Sequence, residues 1–155
     1  MKNTPIKSVF SILCATSLSF TLVGCSSASA NEYVKNGEPG TCWTVDKDGN
    51  PDQKVDCTSP HSEEVTQRLD VFDYEDYPGE EFLSQQGGQK CLEWLYNTYP
   101  QLGENDLLDK VNRGVRIPTS EEWKDKEQRV FICSVVSDKP VSSTFDTWWE
   151  DLKSQ

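Results

Sequence analysis

The chain has 155 residues, a formal net charge of −11 and 35% hydrophobic residues, a composition typical of one small globular domain. So acidic a chain repels phosphate backbones and anionic lipid headgroups, which argues against nucleic-acid binding and leaves a cationic partner open. Because 26% of the residues are charged, any membrane signal in the sequence has to be local.

Residues 1–24 have the features of an export signal. Lys2 and Lys7 precede an apolar stretch that extends to Gly24. This stretch is interrupted by serine and threonine, whereas a transmembrane helix needs about 20 mostly apolar residues. We therefore interpret residues 1–24 as a cleaved signal peptide. Its removal takes away two lysines and no acidic residue, which changes the net charge from −11 to −13.

The signal ends in a candidate lipidation site. Leu22-Val23-Gly24-Cys25 resembles the lipobox of bacterial lipoproteins, in which the cysteine is acylated. Two or more acyl chains would anchor the chain stably, because each buried methylene contributes about 0.8 kcal/mol. We expect Cys25 to hold the protein on the extracytoplasmic face of the cell membrane. The alternative is that this cysteine follows the apolar segment by chance and is not acylated. Residues 25–39, rich in small polar residues and glycine, are predicted to form a flexible tether.

The remaining cysteines form an even set. Cys14 would leave with the signal and Cys25 would be acylated. An exported domain uses such a set for disulfides, and no pair has the C-x(2–4)-C spacing usual in zinc sites. The absence of C-x-x-C also argues against a thioredoxin-like redox centre. The four predicted disulfide cysteines are Cys42, Cys57, Cys91 and Cys133.

The first predicted element of the domain is a β-hairpin. Residues 42–45 and 54–57 flank the turn-rich segment 48–51, which would place Cys42 opposite Cys57. Facing cysteines on antiparallel strands are close enough to be bridged, so we predict that disulfide. The oxygen-rich segment 46–52 is similar to a calcium loop but lacks its glycine position and its closing glutamate, so we expect no metal there.

Further elements follow along the chain. Alternating apolar residues predict a strand near 65–71, and three- and four-residue spacing predicts a helix over 80–99, kinked or divided at Gly87-Gly88. A β-branched run predicts a strand near 129–136. A Cys91–Cys133 disulfide would join helix to sheet. The predicted fold is α+β, with a small antiparallel sheet covered by the helix that carries Cys91.

Residues 146–155 are predicted to be an amphipathic C-terminal tail. Four apolar side chains at i, i+3, i+4 and i+7 would share one helical face. This face could bind a partner, or it could dock onto the core of the domain itself. The four residues are Phe145, Trp148, Trp149 and Leu152.

The single histidine is the main candidate for chemistry. His61 lies three residues before Glu64, so the two side chains could form an acid–base pair or hold a metal. No nucleophile, phosphate loop or recognisable metal motif accompanies them, and we predict no cofactor. A structural His61, hydrogen-bonded to close the turn after Cys57, is the preferred interpretation.

These residues together resemble the septum formation family, found in actinobacterial membrane proteins and lipoproteins. The resemblance covers residues 40–145, and its most specific part is C-x-x-P-H-x-x-E-V at 57–65, which contains Pro60, His61 and Glu64. The resemblance implies an association with septum formation. It implies no catalytic activity, and it assigns no molecular role to the three signature residues.

We therefore predict a non-enzymatic, lipid-anchored extracytoplasmic domain that binds an envelope partner in division or wall assembly. The alternative is a small envelope enzyme or metal-binding protein that uses His61 and Glu64. That alternative requires His61 to be exposed in a cleft with converging polar groups. A purely structural surface protein is a third hypothesis.

Overall fold

The computed structural model describes residues 26–71, 73–104 and 107–154, except for the side chains of residues 26–29 and Leu152. The predicted signal peptide and Cys25 lie outside the described residues. None of the helices in the described ranges combines the length and the hydrophobicity that a membrane span requires.

The described part of the chain contains three α-helices, five β-strands and four short 3₁₀ helices. The α-helices are α1 (Ser26–Asn36), α2 (Glu80–Thr98) and α3 (Phe145–Lys153). The strands are β1 (Cys42–Val45), β2 (Pro51–Val55), β3 (His61–Asp70), β4 (Asn112–Arg116) and β5 (Val130–Val141). The 3₁₀ helices are Pro100–Gly103, Leu107–Lys110, Glu122–Lys124 and Lys126–Gln128.

The strands form one antiparallel sheet in the order β2-β1-β3-β5-β4. The predicted α+β fold, the hairpin and the strands near 65–71 and 129–136 are confirmed. β3 is the central strand, since Glu64 pairs with Cys42 of β1 on one side and with Val135 of β5 on the other. β4 was not predicted, because its sequence Asn-Arg-Gly-Val-Arg shows no apolar alternation.

Both faces of the sheet are covered, because alternate side chains of β5 point in opposite directions. Val130 and Ile132 belong to a buried cluster with Tyr33 of α1. Phe131 packs with α2 residues, and Val135 packs with residues of α2 and α3. The sheet therefore lies between α1 on one face and α2 with α3 on the other, whereas the sequence predicted one covering helix.

Helix α1 lies within residues 25–39, where the sequence predicted a flexible tether, and this corrects the prediction. Tyr33 is 1% exposed, and its ring lies edge-on against Trp43 with 4.9 Å between centroids. The Arg68 guanidinium donates a hydrogen bond of 2.6 Å to the carbonyl oxygen of Val34. The buried side chains of Tyr33 and Val34 and the bond from Arg68 hold this segment, although its own sequence is weakly amphipathic. Tertiary packing supplies most of the stability of such helices.

Both predicted disulfides are present. Cys42–Cys57 and Cys91–Cys133 have Cα–Cα distances of 5.2 Å and 5.4 Å, within the usual range. The hairpin register differs from the prediction, since Cys42 pairs with Val55 and Cys57 follows the end of β2. The second disulfide joins α2 to β5 across 42 residues of sequence.

The C-terminal helix packs on the domain itself. Phe145 and Trp149 are 1% and 2% exposed, in a cluster with Leu95 and Val135. This burial corrects the assignment of Phe145 and Trp149 as partner contacts, because neither side chain reaches the surface. Trp148 is half-buried against the same cluster.

Helix α2 continues without interruption through Gly87-Gly88, so the kink considered above is not found. The two glycines differ in their surroundings. A Cβ on Gly87 would lie 3.0 Å from side-chain carbons of Phe131 and Val115, whereas a Cβ on Gly88 would meet nothing within 4 Å. Gly87 therefore permits the close approach of α2 to the sheet.

The two glycines give a matched pair of variants. Gly88→Ala should raise the free energy of unfolding by about 0.5–1 kcal/mol, because alanine favours the helix. Gly87→Ala should lower it by about 1 kcal/mol, because the added methyl group overpacks the contact with Phe131. Urea unfolding of the oxidised protein, followed by tryptophan fluorescence, measures both. Equal shifts in the same direction would contradict this packing.

Candidate functional site

The signature residues lie where the hairpin passes into the central strand. Cys57, held by its disulfide to Cys42, precedes Pro60, and β3 begins at His61. Pro60 is exposed and stands just before the strand, where its missing N–H leaves no ladder bond unmade. The register of β3 with β5 shifts between His61 and Glu63. This irregularity re-aims the side chains at the start of the strand.

His61 is buried against the hairpin disulfide. The residue is 2% exposed, and its Nδ1 lies 2.9 Å from the carbonyl oxygen of Ser59. Because a carbonyl only accepts, Nδ1 carries the proton and donates. Nε2 has no hydrogen-bond partner among the residues that the structure describes. A ring nitrogen, the Cys42 Sγ and a Glu64 carboxylate oxygen all lie within 4.8 Å of one another.

Glu64 caps helix α3. Its carboxylate oxygen Oε2 accepts a hydrogen bond of 2.5 Å from the backbone N–H of Phe145, the first residue of that helix. Burial raises the pKa of the Glu64 carboxyl, and the bond from Phe145 opposes this rise. A carboxylate here satisfies one of the free N–H groups of the helix and interacts favourably with its dipole. Glu64 thus joins the central strand to the C-terminal helix.

This arrangement does not meet the requirement of the enzymatic alternative. An acid–base histidine must reach a substrate, and His61 is enclosed between the disulfide and β5. The third potential metal ligand of this cluster is unsuitable, because the Cys42 sulfur is bonded to Cys57 and is no thiolate. The geometry of His61 agrees with the structural interpretation, in which its ring closes the turn after Cys57.

A second acidic residue, Glu63, was missed by the sequence analysis. Glu63 is 6% exposed, and the Tyr33 hydroxyl donates a hydrogen bond of 2.6 Å to its carboxyl. Burial raises the pKa of the Glu63 carboxyl, while hydrogen bonds from Ser134 and Tyr33 oppose the rise. Burial and the nearby Glu63 charge also raise the pKa of Tyr33. The alternation of side chains along β3 could have indicated the burial of Glu63, since Glu63 shares a face with buried Val65.

The fold and the signature define a class of protein: a disulfide-braced α+β domain whose signature histidine and glutamate connect the hairpin, the sheet and the last helix. A family model described as Septum formation matches residues 39–148, which is more than half of the chain. The chain belongs to this family, as the signature predicted. No curated protein and no solved structure matches it.

The buried Glu63 carboxyl predicts a pH dependence of stability. Since folding raises its pKa above the ordinary value of 4.5, the folded state favours the protonated form, and stability is lost as the pH rises above that value. Glu63→Gln keeps an acceptor for Tyr33 without the charge. Its stability relative to wild type should therefore increase with pH across this range, as measured by urea unfolding at successive pH values.

The control for this prediction is Glu93→Gln, the same change at an exposed position of α2. The difference between this variant and wild type should not vary with pH. If Glu63→Gln and wild type gave parallel stability curves from acid to neutral pH, a raised pKa of Glu63 in the folded protein would be ruled out.

Proposed function

We propose that this protein is a lipid-anchored extracytoplasmic domain that binds an envelope partner in division or wall assembly and does not act as an enzyme. Membership in the Septum formation family supports a division-related role. The main support for the extracytoplasmic location is that all four cysteines after Cys25 are paired in two disulfides. Such bonds persist outside the reducing cytoplasm.

The anchor is supported by the sequence of the first 25 residues. A basic start, an apolar segment and Leu22-Val23-Gly24-Cys25 follow one another in the order of a lipoprotein signal. Cys25 is separated by a single peptide bond from Ser26, where α1 begins. An acylated Cys25 would therefore hold the domain close to the membrane, without the long flexible spacer that we predicted.

A binding role agrees with the structural role of the signature residues His61 and Glu64. The hydrogen bonds of His61 and Glu64 go to Ser59 and Phe145, so these side chains stabilise the domain. Without residues 1–24 the chain has a net charge of −13, which favours a cationic partner over a nucleic acid. The partner would bind elsewhere on the domain surface.

The proposal predicts the mass of the mature protein. Intact mass spectrometry of protein extracted from membranes should show loss of residues 1–24 and a gain of acyl groups. Four thiols should become reactive only after reduction. Cys25→Ala should abolish the lipid mass and leave four reducible thiols. Cys14→Ala, which changes the other cysteine of the leader region, should leave both the lipid and the disulfides as in wild type.

The same experiment can contradict the proposal. Lipid that persists in Cys25→Ala, or a wild-type protein without lipid in the membrane fraction, would rule out the anchor. Free thiols in the protein as extracted would rule out the oxidising compartment on which the extracytoplasmic location depends.

A further inference from the structure

A polar cavity lies on the α1 face of the sheet. It has a volume of about 350 Å³, in the range of small-molecule sites, and it lies between α1, the hairpin turn and β4. Its wall includes Tyr33 and Glu63 together with Asp46, Asn50 and Arg116. None of these residues belongs to the His61 and Glu64 cluster, so the cavity is a separate feature of the domain.

The Glu63 carboxyl belongs to the most buried charged residue of this cavity. Glu63 is 94% buried, yet it reaches the cavity wall. A carboxylate offers about four acceptor positions, and the hydroxyl groups of Tyr33 and Ser134 use two of them. No lysine or arginine side chain of the described residues forms an ion pair with Glu63. Acceptor capacity therefore remains, without an internal cation to neutralise the carboxylate.

The cavity extends beside this carboxyl because β4 has a glycine there. A Cβ on Gly114 would lie 2.3 Å from the Ser134 Oγ and 3.6 Å from the Glu63 Oε1. Any other residue would push Ser134 away from its position beside the carboxyl. Gly114 thus keeps both the hydroxyl group and the neighbouring space in place.

The other charged groups of the cavity favour a cation over an anion. The Arg116 Nη2 lies 2.6 Å from the Glu122 carboxylate, and its Nη1 donates to the carbonyl oxygen of Ile117. The charge of Arg116 is therefore already neutralised. Asp46 adds a carboxylate whose pKa is lowered, chiefly by the backbone hydrogen bond from Asn50. The sum of these charges in the cavity is negative, as is that of the whole chain.

We propose that this cavity binds an alkylammonium group, with the Glu63 carboxylate accepting its hydrogen bonds. An ammonium group is a compact donor of three hydrogen bonds, which matches one buried carboxylate with free acceptor positions. Small free amines and the lysine side chains of partner proteins both carry such a group. The proposal concerns the domain itself and holds whether or not Cys25 carries lipid.

The test is a ligand-observed NMR titration of the full chain in a nonionic detergent, with detergent alone as the blank. n-Butylammonium represents a free amine, and Nα-acetyl-lysine methylamide represents a lysine side chain. Butan-1-ol and Nα-acetyl-norleucine methylamide are their neutral counterparts. Both cations should bind and both neutral counterparts should not. Tighter binding of the lysine derivative would identify a protein side chain as the source, and tighter binding of n-butylammonium would identify a free amine.

Variants locate the binding at the cavity. Glu63→Gln should weaken binding of either cation about tenfold or more, since it removes a charged hydrogen bond. Ala30→Leu adds bulk to the cavity wall from a helical position and should also weaken binding of either cation. This variant provides the test if Glu63→Gln proves too unstable to study. Glu93→Gln, which removes the same charge from an exposed site on α2, should leave the affinity unchanged.

Two results would overturn the proposal. One is that neither cation binds the wild-type protein more strongly than its neutral counterpart. The other is that Glu63→Gln and Glu93→Gln change the affinity by the same factor, which would show attraction by the net charge alone.

Discussion

Glu63 and Glu64 are neighbours on the central strand, and their side chains connect it to helices on opposite faces of the sheet. Glu63 accepts a hydrogen bond from Tyr33 of α1, and Glu64 accepts one from the first N–H of α3. Because successive side chains of a strand point to opposite faces, two adjacent residues can hold both outer layers. The positions of both terminal helices of the described domain depend on this pair.

The disulfides fix the elements around that strand. Cys42–Cys57 closes the hairpin beside His61, and Cys91–Cys133 fastens α2 to β5. A loop of 42 residues is long enough for the second bond to contribute about 4 kcal/mol in the chain-entropy model. A contribution of this size matters in a domain this small, whose total stability is typically about 5–15 kcal/mol. The same bonds form and persist under oxidising conditions, which supports the extracytoplasmic location that we propose.

The sequence predicted those parts of the fold that have a local pattern. The hairpin, α2, β5 and both disulfides follow from turn residues, helical spacing and cysteine parity. α1 and β4 were missed, because Tyr33 is held by contacts distant in sequence and β4 has no alternation of apolar residues. The role of Glu64 was also beyond sequence reasoning, since its partner Phe145 lies 81 residues away.

The candidate site, like the fold, could be predicted only in part from the sequence. The signature drew attention to His61 and Glu64, whose side chains stabilise the fold, while the cavity beside Glu63 is assembled from α1, the hairpin turn and β4. Those three elements are distant in sequence, and two of them were not predicted. The one local sign of this cavity was Glu63 itself. The alternation along β3 places Glu63 on the same face as buried Val65 and therefore predicts its burial.

In this structure Glu63 holds α1 and Glu64 holds α3. Residue-resolved hydrogen exchange of the full chain tests it with two variants, each the control of the other. Glu64→Ala should speed exchange in α3 about fivefold, the effect of losing a cap of about 1 kcal/mol, and leave α1 protected. Glu63→Ala should speed exchange in α1 and leave α3 protected. Equal acceleration of both helices by either variant, or of neither, would contradict these roles of Glu63 and Glu64.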